Sequence, residues 1–330
     1  MNPPVSELPR PTPPADPVTG RFHLSAHRVI DVEGADAAPF LQGQLCNDVA
    51  ALQPGRAQIN GYCTPKGRLL ASFVLQRRPD GFRLILPEAT VAEAFAKRLG
   101  MFVMRSAVTL RVRDDVAVVG LIGDASAPDG LPTRPEAVLE ATDDGDASLL
   151  RWHDDPVQGH RLLGVLAPRA AADLPDGEQA WRLGDIRAGL PSVRTGTVES
   201  FVPQMVNFRE IDGLSFKKGC YPGQEIVARM HYLGKQKRHM RRFVATGATS
   251  ATGQSVLPSP GQSLGEGGAA EVVDAIATVD GIELLAVVRV GPLEHGLSLG
   301  DQGPTAIDAV LPYRPGQPAD EQAEITEAVP

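Results

Sequence analysis

Phe216-Lys217-Lys218-Gly219-Cys220-Tyr221-Pro222-Gly223-Gln224-Glu225, continuing through Ile226-Val227-Ala228-Arg229, places one thiol between two lysines and a Pro-Gly turn. Gly219 and Gly223 allow positive φ and close backbone approach on either side of the sulfur. Past the turn, Ile226, Met230 and Leu233 fall at helical spacing, which predicts a short helix opening at Gly223–Gln224. A thiol ahead of a helix N-terminus and beside Lys217 and Lys218 is expected to have a depressed pKa. The plainer reading is a buried structural cysteine in a glycine-rich turn, because free Cys is among the most buried residue types.

Composition bounds the rest. A chain of 330 residues is long enough for two or three domains, and 42% hydrophobic with 22% charged residues are globular values. The formal net charge of −8 argues against a general nucleic-acid binder, which needs a basic face, and leaves room only for a local basic patch. Cys46, Cys63 and Cys220 are too few and too far apart for a disulfide framework, and no CxxC spacing suggests a metal site built by this chain alone. Free thiols, no apolar leader and no apolar run of membrane length predict a soluble, cytoplasmic protein, and a monomer is expected.

Residues 1–20 are proline-rich and read as a disordered tail, with structure beginning near Phe22. His27–Val32 reads as a strand, and Asp36 as the cap of a helix running through Leu45 with Phe40 on its apolar side. Arg56–Cys63 and Arg68–Arg77 form a hairpin through Thr64-Pro65-Lys66-Gly67, whose Pro and Gly fit a type I turn. Pro79-Asp80-Gly81 turns into strand Phe82–Leu86, and a helix from Glu88 to Leu99 stops at Gly100. With strands at Ala107–Arg113 and Val116–Ile122, this run reads as an antiparallel α+β lobe. Residues 123–146 read as a loop region, followed by strands Ser148–Trp152 and His160–Ala167. Gln179–Leu190 reads as a helix with Leu183, Ile186 and Leu190 on one face, ended by Pro191.

The basic run Lys235-Gln236-Lys237-Arg238-His239-Met240-Arg241-Arg242 has two readings. One is a solvated strand edge protected by charge, the other a clamp for a phosphate or a carboxylate tail. Short strands separated by Gly, Ser and Pro then predict a small β-barrel or jelly-roll-like domain over 241–313, and 314–330 reads as a disordered acidic tail. No GxxxxGK[ST] or HExxH motif and no GxGxxG after a strand occurs, and the seven His are scattered, with His231 nearest the Cys220 turn. A Cys220–His231 or Cys220–His239 nucleophile lacks any oxyanion-hole signature beside it.

The Lys218–Glu225 stretch KGCYPGQE, preceded by Phe201-Val202-Pro203-Gln204-Met205-Val206-Asn207, resembles the YgfZ family, folate-binding proteins related to the aminomethyltransferase (T-protein) of the glycine cleavage system. The resemblance extends through Arg182-Leu183, Ala188-Gly189-Leu190-Pro191, Ser215-Phe216, Val227-Ala228-Arg229 and Lys237-Arg238. Upstream it includes Phe40-Leu41-Gln42-Gly43-Gln44-Leu45, Asn47-Asp48, Gly61-Tyr62-Cys63 and Lys66-Gly67-Arg68, so that it covers residues from about 20 to 312. It implies an α+β, three-lobed, cloverleaf-like T-protein fold: two antiparallel α+β lobes within a folate-binding region over 21–240, discontinuous in sequence, plus the C-terminal small β-barrel. It also implies a central channel for tetrahydrofolate or a derivative. The function it implies is an accessory role in assembling or repairing iron–sulfur clusters of client enzymes, with transient contacts to those enzymes or to cluster-assembly proteins.

Within that resemblance Cys220 is the functional thiol and no resident metal is expected. Gln204 and Asn207 are candidates for the pterin edge, being combined donors and acceptors. Asn47 lies in the block that faces the channel in relatives, Lys218 and Glu225 belong to the motif, and Arg229 with the basic run can meet the glutamate tail. Glu225 and Arg229 are also spaced for a mutual helix-surface ion pair. After the Lys-Gly hairpin the aminomethyltransferases carry a pair of acidic residues, one of them catalytic; here Gly67 is followed by Arg68-Leu69-Leu70-Ala71-Ser72-Phe73. Proton shuttling in aminomethyl transfer needs an ionisable group at that place, so the expectation leans away from that enzyme, with a folate-dependent one-carbon transferase or demethylase as the alternative. A third alternative is an RNA-modification partner docking through Lys235–Arg242.

Overall fold

A computed structural model describes residues 18–123, 136–140, 147–234, 236–247, 257–265, 267–291, 296–299 and 304–315. The expected tails lie almost wholly outside these. Val18 is the exception to the expected start: its N–H donates to the Gln158 side chain at 3.2 Å, so order begins ahead of Phe22.

In chain order the elements are β1 (Gly20–His23), β2 (Arg28–Glu33), α1 (Ala37–Gln42), β3 (Ala57–Cys63), β4 (Leu69–Arg78), β5 (Gly81–Leu86), α2 (Ala89–Gly100), β6 (Thr109–Arg113) and β7 (Ala117–Ile122). Next come β8 (Glu136–Glu140), β9 (Ser148–Asp155), β10 (Gly159–Leu166), α3 (Glu178–Ala188) and α4 (Gln224–Leu233). The chain closes with β11 (Arg238–Thr246), β12 (Ser263–Leu264), β13 (Ala270–Ala277), β14 (Gly281–Arg289), β15 (Leu297–Ser298) and β16 (Thr305–Ala309). They form three antiparallel sheets, ordered β3-β4-β5-β2-β6, β1-β7-β10-β9-β8 and β12-β13-β14-β11-β16-β15, the last nearly closed into a barrel. This is the expected α+β architecture of two lobes and a terminal barrel. Among the described residues no helix is long and apolar enough to cross a membrane.

Several local expectations change. The neighbouring strands β6 and β7 enter different sheets, so the first lobe ends between them. The segment expected to be a loop over 123–146 contains β8, which pairs with β9; its other residues are not described. Asp36 does not cap α1: its carboxylate accepts from the Ala107 N–H at 2.7 Å, and α1 is one short helix ending at Gln42. Gly100 lies inside α2, whose last turn closes on Met101 in a right-handed conformation. α3 ends on Gly189 at φ 70°, a left-handed stop, two residues before the proline expected to end it. Lys235 is outside the described residues, and over Arg242–Val244 β11 lies between β14 and β16, so there it is no sheet edge.

Alternation along the strands builds two cores at once. In the first lobe Ile30, Val32, Leu84 and Leu86 face α1 and α2, while Val29 and Ile85 on the opposite side join a core shared by all three sheets. In the barrel Leu284, Ala286 and Val288 point inside, while Leu285 and Val287 join that same shared core. Strands buried on both faces read as continuous apolar runs, as Ile282–Val288 does apart from Glu283. Glu283 is explained by its partners: it accepts from Arg187 at 2.7 Å and from Arg242 at 2.6 Å.

Candidate functional site

The Cys220 turn is held from beneath by the β3–β4 hairpin. Gly223 caps α4 at φ 85°, and a Cβ there would lie 2.4 Å from the Thr64 carbonyl and 2.6 Å from the Gly67 nitrogen. Only glycine permits both that conformation and that approach. Gly223→Ala is therefore expected to destabilise the protein by about 2–4 kcal/mol, combining left-handed strain with overpacking against backbone. Denaturant unfolding measures it, and a change within about 0.5 kcal/mol would show that the turn is not clamped on the hairpin.

The Lys218 side chain turns into the protein. Its ammonium is buried, donating to the Gln42 carbonyl at 2.6 Å and to that of Leu45, and it lies 5.1 Å from the Tyr221 ring centroid. Burial pushes its pKa down to about 8, against the pull of Cys46 and Asp48. Lys217, by contrast, is exposed, and so is Cys220, which removes the reading of a buried structural cysteine. The helix past the turn buries Val227 rather than Ile226, which is 39% exposed. Cys46 and Cys63 are buried together, and the Cys63 thiol is pushed well above its ordinary value by its hydrogen bond with Cys46 and by burial. Among the described residues no three His, Cys, Asp or Glu side chains gather to hold a metal.

The other residues singled out in the sequence take up structural partners. Asn47 donates to the carbonyls of Ile59 at 2.9 Å and Asp212 at 2.6 Å. Gln204 donates to the Val227 carbonyl of α4 at 2.6 Å, and Asn207 bridges to the Met240 carbonyl of β11 at 2.9 Å and the Tyr313 hydroxyl at 3.2 Å. These amides fasten the 203–207 segment to α4 and to the barrel. Glu225 and Arg229 are both exposed and form no ion pair with each other. His231 stacks on Phe216 at 3.9 Å, in the last turn of α4.

A second centre lies where the lobes meet. A cavity there is lined by residues that include His27, Ser72, Trp152, Trp181, Asp185 and Ile211. The two indoles are the chain's only tryptophans, and they stack at 6.3 Å with 29° between planes. Asp185 is the one carboxylate of the lining; its Oδ1 accepts from the Trp152 indole N–H at 2.8 Å and from Arg161 at 2.9 Å. No hydrogen bond reaches Asp185 Oδ2 among the described residues. Arg161 also covers the Trp181 ring, 4.7 Å from its centroid, and donates to the Trp181 carbonyl. His27 is held by Glu178 at 3.0 Å; burial pushes that carboxyl up, and His27 together with the Ala26 N–H more than reverses it.

β4 brings Ser72, Phe73 and Val74 to this cavity, and the positions after the hairpin turn are packed in apolar core. No acidic side chain arrives from that strand. The signal that could have shown the cavity was present in α3: Trp181 and Asp185, at i,i+4, put a carboxylate on the helix's apolar side.

No family model matches the chain. It is 33% identical over 245 residues to the tRNA-modifying protein YgfZ of Enterobacter sp. (strain 638), spanning 69% of this chain and 74% of that protein. It is 30% identical over 310 residues to the tRNA-modifying protein YgfZ of Cronobacter sakazakii (strain ATCC BAA-894), spanning 87% and 91%. Among solved structures it is similar to the glycine cleavage system aminomethyltransferase T from Bartonella henselae, with a TM-score of 0.64 at 17% identity over 91% of this chain and 87% of that one.

Proposed function

The chain belongs to the YgfZ family, and on that premise we propose that it is a tetrahydrofolate-binding accessory protein for iron–sulfur enzymes, with Cys220 as its working thiol. The relatives are named as tRNA-modifying proteins, so the clients in this reading are enzymes of tRNA modification. The pterin site is the tryptophan-lined cavity. The observation that carries the reading is Asp185, a buried carboxylate with one oxygen unengaged beside two stacked indoles. A pterin offers a flat ring to stack and an amide-like edge whose N–H groups a carboxylate accepts. The donor set fits that group: stacking from Trp152 or Trp181, acceptance at Asp185 Oδ2, and donation from the Ser72 hydroxyl, whose oxygen already accepts from the Val193 N–H at 2.7 Å. The free core of the cavity is about 40 Å³, so a bicyclic ring enters as the lining side chains part. Tetrahydrofolate, when bound, would supply one-carbon acceptor or redox chemistry. The chain's own residues hold and orient its ring and keep water from it.

In the same reading Cys220 stands outside the cavity, free to exchange a sulfur or to meet iron carried by a partner. Asn47, Gln204, Asn207 and Lys218 act through structure, by holding the turn, α4 and the barrel in register. Because both tryptophans line the cavity, indole emission reports its occupancy. Anaerobic titration with tetrahydrofolate, corrected with free tryptophan amide for light absorbed by the ligand, is expected to quench emission saturably in wild type and equally in Cys220→Ala. Asp185→Asn keeps an acceptor for Trp152 and Arg161 but loses the charge. Its affinity is expected to fall by about tenfold to a hundredfold, the worth of a hydrogen bond to a charged group. Unsaturable quenching in wild type, or unchanged affinity in Asp185→Asn, removes the cavity from the proposal.

A further inference from the structure

A third feature lies apart from both centres. Met205, Met230, Gln236, Lys237, Arg238, Arg289 and Val290 surround an open depression of about 770 Å³, between the end of α4 and the start of β11. Arg238 and Arg289 are direct cross-strand partners on β11 and β14. Like charges placed opposite each other cost a sheet stability unless something neutralises them. Other arginines of the barrel and of its joints to the lobes are neutralised. Arg241 donates to Asp308 at 3.0 Å, Arg242 and Arg187 to Glu283, and Arg182 and Arg194 to Asp274. Around the depression no acidic side chain among the described residues pairs with Lys237, Arg238 or Arg289. The Gln236 amide N–H groups are taken, donating to the carbonyls of Gln204 at 2.7 Å and Arg238 at 3.2 Å.

We propose that this depression binds the phosphate of a nucleotide, free or within an RNA strand. Two guanidinium forks and an ammonium match a tetrahedral group with several charged oxygens. A single carboxylate would leave most of that positive charge unanswered; the doubly charged terminal phosphate of a free nucleotide, or successive phosphodiesters of a strand, answers it. The thioethers of Met205 and Met230 offer soft, polarizable surface on which a planar base can lie. Contact of this kind is sequence-independent and compatible with the acidic chain as a whole, because only a local basic face meets the phosphate. The site stands independently of the folate reading.

The test is fluorescence anisotropy with a labelled ten-nucleotide single-stranded RNA at low salt, competed by AMP, inorganic phosphate and citrate. Wild type is expected to bind with a log–log salt slope of about −2, from three cations on single-stranded phosphate. The variant Arg238→Gln/Arg289→Gln is expected to lose at least tenfold, with no drop in melting temperature because it relieves a like-charge pair. The control Arg21→Gln/Lys97→Gln removes the same charge at exposed positions elsewhere and is expected to bind like wild type. Should the paired variant fail to fold, Lys237→Gln alone is expected to weaken binding severalfold. Competition by AMP as strong as by unlabelled RNA assigns the site to free nucleotides, and competition by RNA alone assigns it to a strand. No binding at low salt, equal loss in the control variant, or citrate competing as well as AMP overturns the proposal.

Discussion

In cells lacking the native protein, Cys220→Ala is expected to reduce the activity of dependent iron–sulfur enzymes to the level of cells with no protein at all, while leaving the purified protein's stability within about 0.5 kcal/mol of wild type. The second half follows from the position of the residue. Cys220 is exposed, and a Cβ added at its neighbour Gly219 would meet nothing within 4 Å, so this side of the turn packs against no other part of the chain. What holds the turn is Lys218 beneath it and Gly223 after it, and neither depends on the sulfur. Truncation therefore removes reactivity without removing structure. The first half follows from chemistry: an exposed thiol near the exposed Lys217 can reach a partner's sulfur or iron, whereas Cys46 and Cys63 are fully buried. Unchanged enzyme activity with Cys220→Ala, at equal protein level, would end the thiol's part in the proposal.

The largest loss of stability is expected from Asp274→Asn, about 3–5 kcal/mol by urea unfolding, as for a buried pair stripped of one charge. Asp274 of β13 accepts from Arg182 of α3 at 3.1 Å and from Arg194 at 3.0 Å, so one buried carboxylate fastens the barrel to the second lobe and to the segment that follows α3. Burial alone would raise its pKa, but Arg194 and Arg182 hold it below the ordinary carboxylate value. A depressed folded value means stability that is present above the unfolded pKa of about 3.9 and lost as pH falls through the folded value. Wild type is accordingly expected to lose stability on acidification below about pH 4, and the variant to show a shallower loss. Equal acid slopes in the two proteins would show that the pair is not coupled to folding.

Much of this protein was determined by local sequence. The turn before α4, the hairpin through Thr64–Gly67, and the strands of the first lobe and the barrel follow from glycine, proline and apolar period, which act over a few residues. The exposure of Cys220, the inward turn of Lys218 and the division of β6 from β7 between two sheets were decided only by tertiary structure. So were the duties of Asn47, Gln204 and Asn207: an amide's partners are chosen by what folds against it, and theirs are carbonyls up to 165 residues away in the chain. The cavity is the strongest case. Trp152, Asp185 and His27 come from a strand, a helix and the first lobe, and strands buried on both faces give no period that says which side will meet a neighbouring lobe. Residue type and spacing determined the elements and the turn that presents the thiol. Which polar groups became joints and which were left open to a ligand was settled when three sheets closed around one core, because hydrogen bonds and ion pairs between distant segments exist only after that closure.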